Sequence, residues 1–265
     1  MKPKKTVYYD DLLHDDFAGT KITKRPLPKD YKYVRRGPFS RFFSMILYRL
    51  VAIPLLYLPV KIKYGIKVKG RKNLRLIRHQ GCFFYGNHTQ IIDAMSVQLF
   101  VSRRRTYIVA DQDATSIRGI RTLLNLLGCI PVPENPEEHR KFIDCIQYRI
   151  RQHRRISIFP EAHIWPYSTH IRPYDDAAFI YPAELGVPAV PICVTYRERK
   201  FRKNAKPAIT IHVGKPIFPD MKLGLGDRKK ELRDKAYEFM LEMSGEEENV
   251  EYIQYLPRKK EEKRA

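Results

Sequence analysis

The sequence predicts an α/β protein, with a mostly parallel β-sheet flanked by helices on both faces and an N-terminal membrane-associating helical element. Short apolar runs that are typical of buried strands alternate with longer segments of helical periodicity. Such alternation favours parallel strands joined by right-handed crossovers. A strongly apolar segment precedes the first of these strands and is set apart from them by a basic stretch.

The predicted elements follow one another along the chain. The strand-like runs are residues 82–85, 106–110, 156–159, 187–192 and 208–213. One helical segment closes at Gly128, and another opens at Asn135 with Glu138 three residues later, which is typical of a capped helix start. A last amphipathic helix carries apolar residues at Leu232, Ala236, Phe239, Met240 and Met243. Ligands of such sheets collect at the carboxyl ends of the strands.

Residues 42–60 form the most apolar run of the chain. Arg49 lies at its middle, and Pro54 and Pro59 interrupt its second half, which favours a helix or a pair of short helices in one leaflet over a transmembrane span. Residues 61–79 add eight Lys or Arg and no acid, which suits anionic headgroups. An ordinary core helix is the alternative. The segment predicts a peripheral or monotopic protein at the cytoplasmic face of a membrane, with phospholipids as partners.

The chain divides by composition into four predicted parts. These are a polar basic extension at 1–40, the apolar membrane-associating segment at 41–64, one α/β domain at 65–244 and a charged tail at 245–265. The polar extension carries aromatic and aliphatic residues, among them Tyr9 and Phe17, that are able to cover part of the domain surface. Length and composition do not predict an oligomeric state.

The chain is strongly basic, with 50 Lys and Arg against 29 Asp and Glu and a formal net charge of +21. An anionic partner is expected, either lipid headgroups, phosphorylated substrates or nucleic acid. Nucleic acid is the weaker alternative, because the sequence has no zinc-finger, RNA-recognition or helix-turn-helix signature. The four cysteines form no Cys-x-x-Cys pair and predict reduced, buried thiols. The histidines lack a metal-ligand spacing, so no metal site is predicted.

The segment 86–93, Gly-Asn-His-Thr-Gln-Ile-Ile-Asp, directly follows the first predicted buried strand. It predicts a sharp turn in which His88 precedes a helix and Asp93 lies about one helical turn further on. A carboxylate on one ring nitrogen fixes the tautomer and leaves the other nitrogen to accept a proton from a hydroxyl. The alternative is a capped helix with one exposed histidine and one aspartate in its first turn.

Two later segments belong with this one. Phe159, Pro160 and Glu161 lie at the end of a predicted strand, and residues 187–192 enter the next strand through two prolines. With Asn87, His88 and Asp93 these segments resemble the first, third and fourth sequence blocks of the lysophospholipid acyltransferase superfamily, the 1-acylglycerol-3-phosphate acyltransferase-like enzymes. The resemblance covers about residues 65 to 218. It implies an O-acyltransferase of the glycerolipid type in phospholipid biosynthesis.

The resemblance also implies roles for the matched residues. His88 would be the general base, Asp93 would orient it, and Glu161, with Phe159, Pro160 and Asn87, would contact the acceptor. The acyl donor would be acyl-CoA or acyl-carrier protein, used as a co-substrate with no further cofactor. Acyl transfer to a non-phosphorylated acceptor and a catalytically silent lipid-binding member are the alternatives.

The chain departs from the family where phosphate would be bound. The second block usually ends in an arginine, but the corresponding stretch here ends in Glu134, and an upstream lysine is replaced by Asp111. The third block continues with Ala162 in place of the usual glycine. The candidates to replace the missing phosphate contacts are Arg118, Arg121 and Arg172. A guanidinium is able to bind phosphate through two parallel hydrogen bonds. Each is otherwise an ordinary surface arginine.

Overall fold

The computed structural model describes residues 3–19, 26–28, 31–34, 37–112, 121–200 and 205–258. Its strands are β1 (Lys5–Tyr9), β2 (Lys67–Lys69), β3 (Cys82–Gly86), β4 (Thr106–Ala110), β5 (Cys129–Pro131), β6 (Arg155–Ile158), β7 (Ala189–Arg197), β8 (Ala208–Val213) and β9 (Ile253–Pro257). Its α-helices are α1 (Pro38–Tyr64), α2 (Asp93–Ser96, continued by a π-helical turn at Val97–Val101), α3 (Arg121–Leu127), α4 (Pro136–Arg151), α5 (Ile180–Leu185) and α6 (Leu225–Ser244).

The main sheet has seven strands in the order β2-β8-β7-β3-β6-β4-β5. From β7 to β5 every neighbouring pair is parallel. The β7–β8 pair is antiparallel, so β8 and its parallel neighbour β2 run against the other five strands. The prediction of a mostly parallel sheet is confirmed, with this reversed pair at one edge.

Helices cover both faces of the sheet because the central strand is apolar at every position. The side chains of β3 alternate between two core clusters, with Phe83 and Tyr85 in one and Cys82 and Phe84 in the other. The first cluster includes apolar residues of α4 and α6, and the second includes those of α2 and the last turn of α1. The three cysteines of the core strands and α4, Cys82, Cys145 and Cys193, are buried and free, and Cys129 is partly buried and free.

Helix α1 is continuous through both prolines. A π-helical stretch at Leu47–Ala52 lies just before Pro54, and its wider turn relieves the clash between the proline ring and the preceding carbonyls. Within the described residues, α1 is the one helix long and apolar enough to cross a membrane, judged by length and composition alone. Only 17% of its most apolar stretch is buried. The alternative of an ordinary core helix is therefore wrong for this segment.

The two ends of the described chain meet in a second, two-stranded parallel sheet of β1 and β9. This sheet packs on Trp165, whose ring centroid lies 4.9 Å from that of Tyr9 and 4.7 Å from that of Tyr255. The Trp165 indole N–H donates to the Asp15 carbonyl at 2.7 Å, and Phe17 packs edge-on against the indole. Residues 5–17 thus dock on the domain, and β9 lies inside the stretch predicted to be only a charged tail, which corrects that prediction.

Trp165→Ala should lower the free energy of unfolding by about 3–5 kcal/mol, because it opens a cavity where the side chain is only 2% exposed. Denaturant unfolding of the full chain measures the change. Tyr8→Ala is the control, since Tyr8 lies on the same strand as Tyr9 but is 54% exposed, and it should cost less than about 0.5 kcal/mol. Equal losses for the two variants would contradict the packing described here.

Candidate active site

His88 and Asp93 come together in the turn between β3 and α2. The Nδ1 atom of His88 lies 3.3 Å from Oδ2 of Asp93. Asp93 is the first residue of α2 and is 1% exposed, and the same Oδ2 accepts the backbone N–H groups of Thr89 and Gln90, each at 2.7 Å. The carboxylate therefore holds the turn and faces the imidazole at once. The structure thus brings the two side chains of the His-x4-Asp segment together.

The His88 ring lies over the ring of Phe159, with centroids 4.5 Å apart and planes 22° apart. His88 follows β3 and Phe159 follows β6, and these strands are parallel neighbours, so both residues lie at the same edge of the sheet. The His88 side chain is 14% exposed. Because Nδ1 faces Asp93, Nε2 is the ring nitrogen left to meet a substrate. Pro160 is half-buried next to Phe159.

Glu161 forms a buried ion pair with Arg172. Arg172 Nη2 lies 2.9 Å from Glu161 Oε2, and the Arg172 backbone N–H donates to Oε1 at 3.2 Å. Arg172 also donates to the His163 carbonyl, and its guanidinium carbon lies 5.1 Å from the centroid of the Trp165 ring. Both side chains are almost fully buried, at 2% exposure for Arg172 and 1% for Glu161.

This ion pair is joined to the turn that carries His88. The backbone N–H of His88 donates to Oε2 of Glu161 at 3.2 Å, so the carboxylate holds the main chain of the base. Burial raises the pKa of Glu161, and the charge of Arg172 together with the His88 N–H opposes that rise. Arg172 is almost fully buried and pairs with Glu161, while its Nη1 has no hydrogen-bond partner among the described residues, so its contact with phosphate stays a prediction.

Asn87 is buried and pairs with the backbone of a neighbouring strand. Its amide N–H donates to the Val194 carbonyl at 3.0 Å, and its amide oxygen accepts the Val194 N–H at 2.8 Å. The residue is 1% exposed. Asn87 therefore ties the turn to β7 by pairing both sides of its amide with one residue of that strand.

Several contacts that hold the turn were not predicted from the sequence. The N–H groups of Trp165 and Tyr167 donate to the carbonyls of His88 and Thr89, each at 3.1 Å. The Tyr196 hydroxyl donates to Thr89 Oγ1 at 2.7 Å. Ala162 has a φ of 60°. Glycine adopts this left-handed conformation readily, and the resembled family has glycine at this position. The replacement of that glycine by Ala162 is visible in the sequence and marks the unusual backbone.

The other two arginines predicted to bind phosphate are Arg118 and Arg121. Arg118 lies outside the described residues, and so does the side chain of Arg121, whose backbone begins α3. Glu134 and Asp111 are exposed. Within the described residues, no group of three or more His, Cys, Asp or Glu side chains is placed to hold a metal ion.

A histidine that faces a buried carboxylate in this way is able to act as a general base. A buried carboxylate favours the tautomer with the proton on Nδ1 and stabilises the imidazolium that forms when Nε2 takes a proton. The nearby thiol in β7, Cys193, is fully buried, and burial raises its pKa, so it stays protonated and is a poor nucleophile. The site thus suits direct attack by an activated hydroxyl.

Comparisons with known proteins agree with this geometry. Residues 65–195 match the family model described as Acyltransferase, and this range includes His88, Asp93, Glu161 and Arg172. The fold is similar to that of the crystal structure of the 1-acyl-sn-glycerophosphate acyltransferase PlsC from Thermotoga maritima, with a TM-score of 0.55 and 14% sequence identity, over 81% of this chain and 90% of that one. No curated protein matches the chain significantly. Residues 65–195 thus form an acyltransferase domain, whose sequence blocks resemble those of the lysophospholipid acyltransferase superfamily.

Proposed function

We propose that this acyltransferase moves a fatty acyl group from acyl-CoA or acyl-carrier protein to a hydroxyl of a lysophospholipid-like acceptor, in phospholipid biosynthesis. The observation that carries the proposal is the contact between His88 and the buried Asp93 at the carboxyl edge of the sheet. The substrate class is supported by the likeness to PlsC, which acts on a 1-acyl-sn-glycerophosphate. The acyl donor is a co-substrate, and no further cofactor takes part in the proposed reaction.

In the proposed reaction, Nε2 of His88 accepts the proton of the acceptor hydroxyl as the hydroxyl oxygen attacks the thioester carbonyl carbon. The C–O bond forms, the C–S bond breaks, and the leaving thiolate takes the proton back from the imidazolium. Asp93 stabilises the imidazolium between these steps. Phe159 lies against the ring and restricts its rotation, so the base is held in place before the substrates arrive.

A second candidate acceptor is a lipid hydroxyl without a phosphate. Arg172 is paired with Glu161 inside the protein, and the stretch that ends in arginine in the family ends here in the exposed Glu134. Both features remove cations from the places where the family binds phosphate. The intact His88–Asp93 pair argues against the catalytically silent alternative, because a silent member has no use for a positioned base.

The proposed location of the protein is the cytoplasmic face of a membrane, with α1 in contact with the bilayer. Leu50, Leu55 and Leu58 on α1 are 58–68% exposed, and Phe39 is 88% exposed. Exposing several large apolar side chains on one helix is unfavourable in water and favourable in the acyl region of a leaflet. Anionic phospholipids are the expected membrane partners, given the net charge of +21.

His88→Ala should lower the rate of acyl transfer at least 100-fold, because a positioned base contributes about that much. Asp93→Asn should be nearly as severe, since it weakens the hold on the imidazole. Rates with acyl-CoA and a lysophospholipid, alongside melting curves of each variant, measure the effect. His163→Ala, which removes another partly buried imidazole of the same loop region, is the control. A His88→Ala enzyme that keeps a tenth of the rate would refute the mechanism.

Arg172→Ala should lower the free energy of unfolding by about 3–5 kcal/mol, because Glu161 is left as an unpaired buried charge. Turnover should fall with it, since Glu161 holds the backbone of His88. The double variant Glu161→Gln with Arg172→Gln leaves no lone charge and should unfold less easily than Arg172→Ala. If Arg172→Ala keeps normal stability and only raises the acceptor KM, Arg172 binds phosphate after all.

Replacing Leu50, Leu55 and Leu58 together by Gln should weaken binding to vesicles at least tenfold, because three exposed apolar side chains are lost from the bilayer. Co-sedimentation with vesicles of mixed phosphatidylcholine and phosphatidylglycerol measures binding. Raising the salt concentration should remove only part of the wild-type affinity, since the apolar contribution is not screened. Leu241→Gln on α6, also exposed, is the control. Unchanged binding of the triple variant would show that α1 does not enter the leaflet.

A further inference from the structure

A cavity lies at the end of the sheet opposite to His88, where the parallel strands begin. This cavity of about 480 Å³ opens between α1, the segment before β4 and the end of α4. Arg105 directly precedes β4, and Arg154 directly precedes β6. His88 and Glu161, by contrast, follow the ends of β3 and β6, and these strands are parallel. The length of β6 therefore separates the cavity from the candidate active site.

The wall of the cavity is unusually cationic. It is lined by Arg49, Arg103, Arg104, Arg105, Arg149 and Arg154, and no Asp or Glu is among the described residues that line it. The guanidinium carbons of Arg105 and Arg149 lie 5.0 and 4.4 Å from the centroid of one ring, that of Tyr107. Two cations held over one aromatic ring repel each other, and that repulsion is relieved when an anion binds beside them.

The two central arginines are partly enclosed by the protein. Nε of Arg105 and Nε of Arg149 are buried and have no hydrogen-bond partner among the described residues. Burial is the main cause that lowers the pKa of Arg105, the charge of Arg149 adds to it, and Tyr107 opposes it. One Nη of Arg105 already donates to Ser44 Oγ at 2.8 Å and to the Leu126 carbonyl, which fixes the guanidinium against α1 and α3. The site is thus preorganised.

The rest of the lining combines apolar with uncharged polar side chains, and it reaches α1, the helix that we propose contacts the membrane. Phe42 and Met45 line the cavity and are also 60% and 50% exposed, so the cavity wall continues into the apolar surface of α1. A ligand that suits this wall has an anionic head and apolar chains. The arginines of the cavity then contact the anionic head, and the apolar side chains of α1 contact the chains.

We propose that this arginine-lined cavity binds the phosphate headgroup of an anionic phospholipid of the membrane that α1 contacts, at a site distinct from that of the acyl acceptor. Guanidinium groups match phosphate oxygens in geometry and charge, and the cavity is large enough for a headgroup. The bound lipid reacts with nothing there. It fixes how the domain is oriented on the bilayer, and the inference does not depend on catalysis at His88.

The test is the binding of dihexanoyl phosphatidylglycerol, a water-soluble anionic phospholipid, to the full chain at 150 mM salt by calorimetry. Wild type should bind it saturably, and Arg149→Gln with Arg154→Gln should weaken binding at least tenfold, because charge-assisted hydrogen bonds are lost. Lys61→Gln with Lys67→Gln removes the same charge from exposed positions outside the cavity and should change binding less than twofold. His88→Ala should bind as wild type does.

The same experiment has clear contrary outcomes. Equal weakening in the two double variants would reduce the effect to overall charge, and loss of binding in His88→Ala would place the lipid in the active site. Inorganic phosphate that displaces the lipid with equal affinity would make the ligand a soluble anion, and the lipid assignment would be wrong. If Arg149→Gln with Arg154→Gln fails to fold, Arg103→Gln with Arg104→Gln at the cavity wall gives the same comparison.

Discussion

Glu161 and Arg172 form an ion pair out of reach of solvent, and His88 is joined to that pair through its own backbone N–H. Burying two opposite charges is unfavourable unless every remaining donor and acceptor finds a partner. Here Glu161 accepts three different groups, and Arg172 binds the His163 carbonyl and lies over the Trp165 ring, which leaves only Nη1 of Arg172 without a hydrogen-bond partner among the described residues. The pair is stable only while the turn after β3 and the loop after β6 hold their places, so it couples those two segments.

The ends of the described chain complete this arrangement. Trp165 packs against the Arg172 guanidinium and against the β1–β9 sheet, and its backbone N–H donates to the His88 carbonyl. Contacts between residues more than a hundred positions apart in the sequence therefore converge on one indole. The N-terminal segment belongs to the support of the candidate active site as much as to its surroundings. This N-terminal segment lies outside residues 65–195, the range that the family model matches.

Sequence reasoning predicted what local spacing controls. The His88–Asp93 contact lies within one turn, and the strands of the sheet are short apolar runs, so both follow from neighbouring residues. The roles of Asn87 and Arg172 depend on β7 and on Glu161, which only the folded chain brings near, and a motif does not reveal such partners. Strand β9 was missed because its alternation is weak and acidic residues precede it. The π-helical turn before Pro54 likewise has no simple sequence signal.

The topology separates the two tasks that we propose for this protein. The base lies where the parallel strands end, and the arginine cavity lies where β4 and β6 begin, next to the apolar helix. A phospholipid held by the cavity keeps its head a strand length away from His88, about 13 Å for the four residues of β6. It is therefore too distant to serve as the acceptor from that position. A substrate has to reach the other edge of the sheet, while the lipid in the cavity remains to hold the domain against the bilayer.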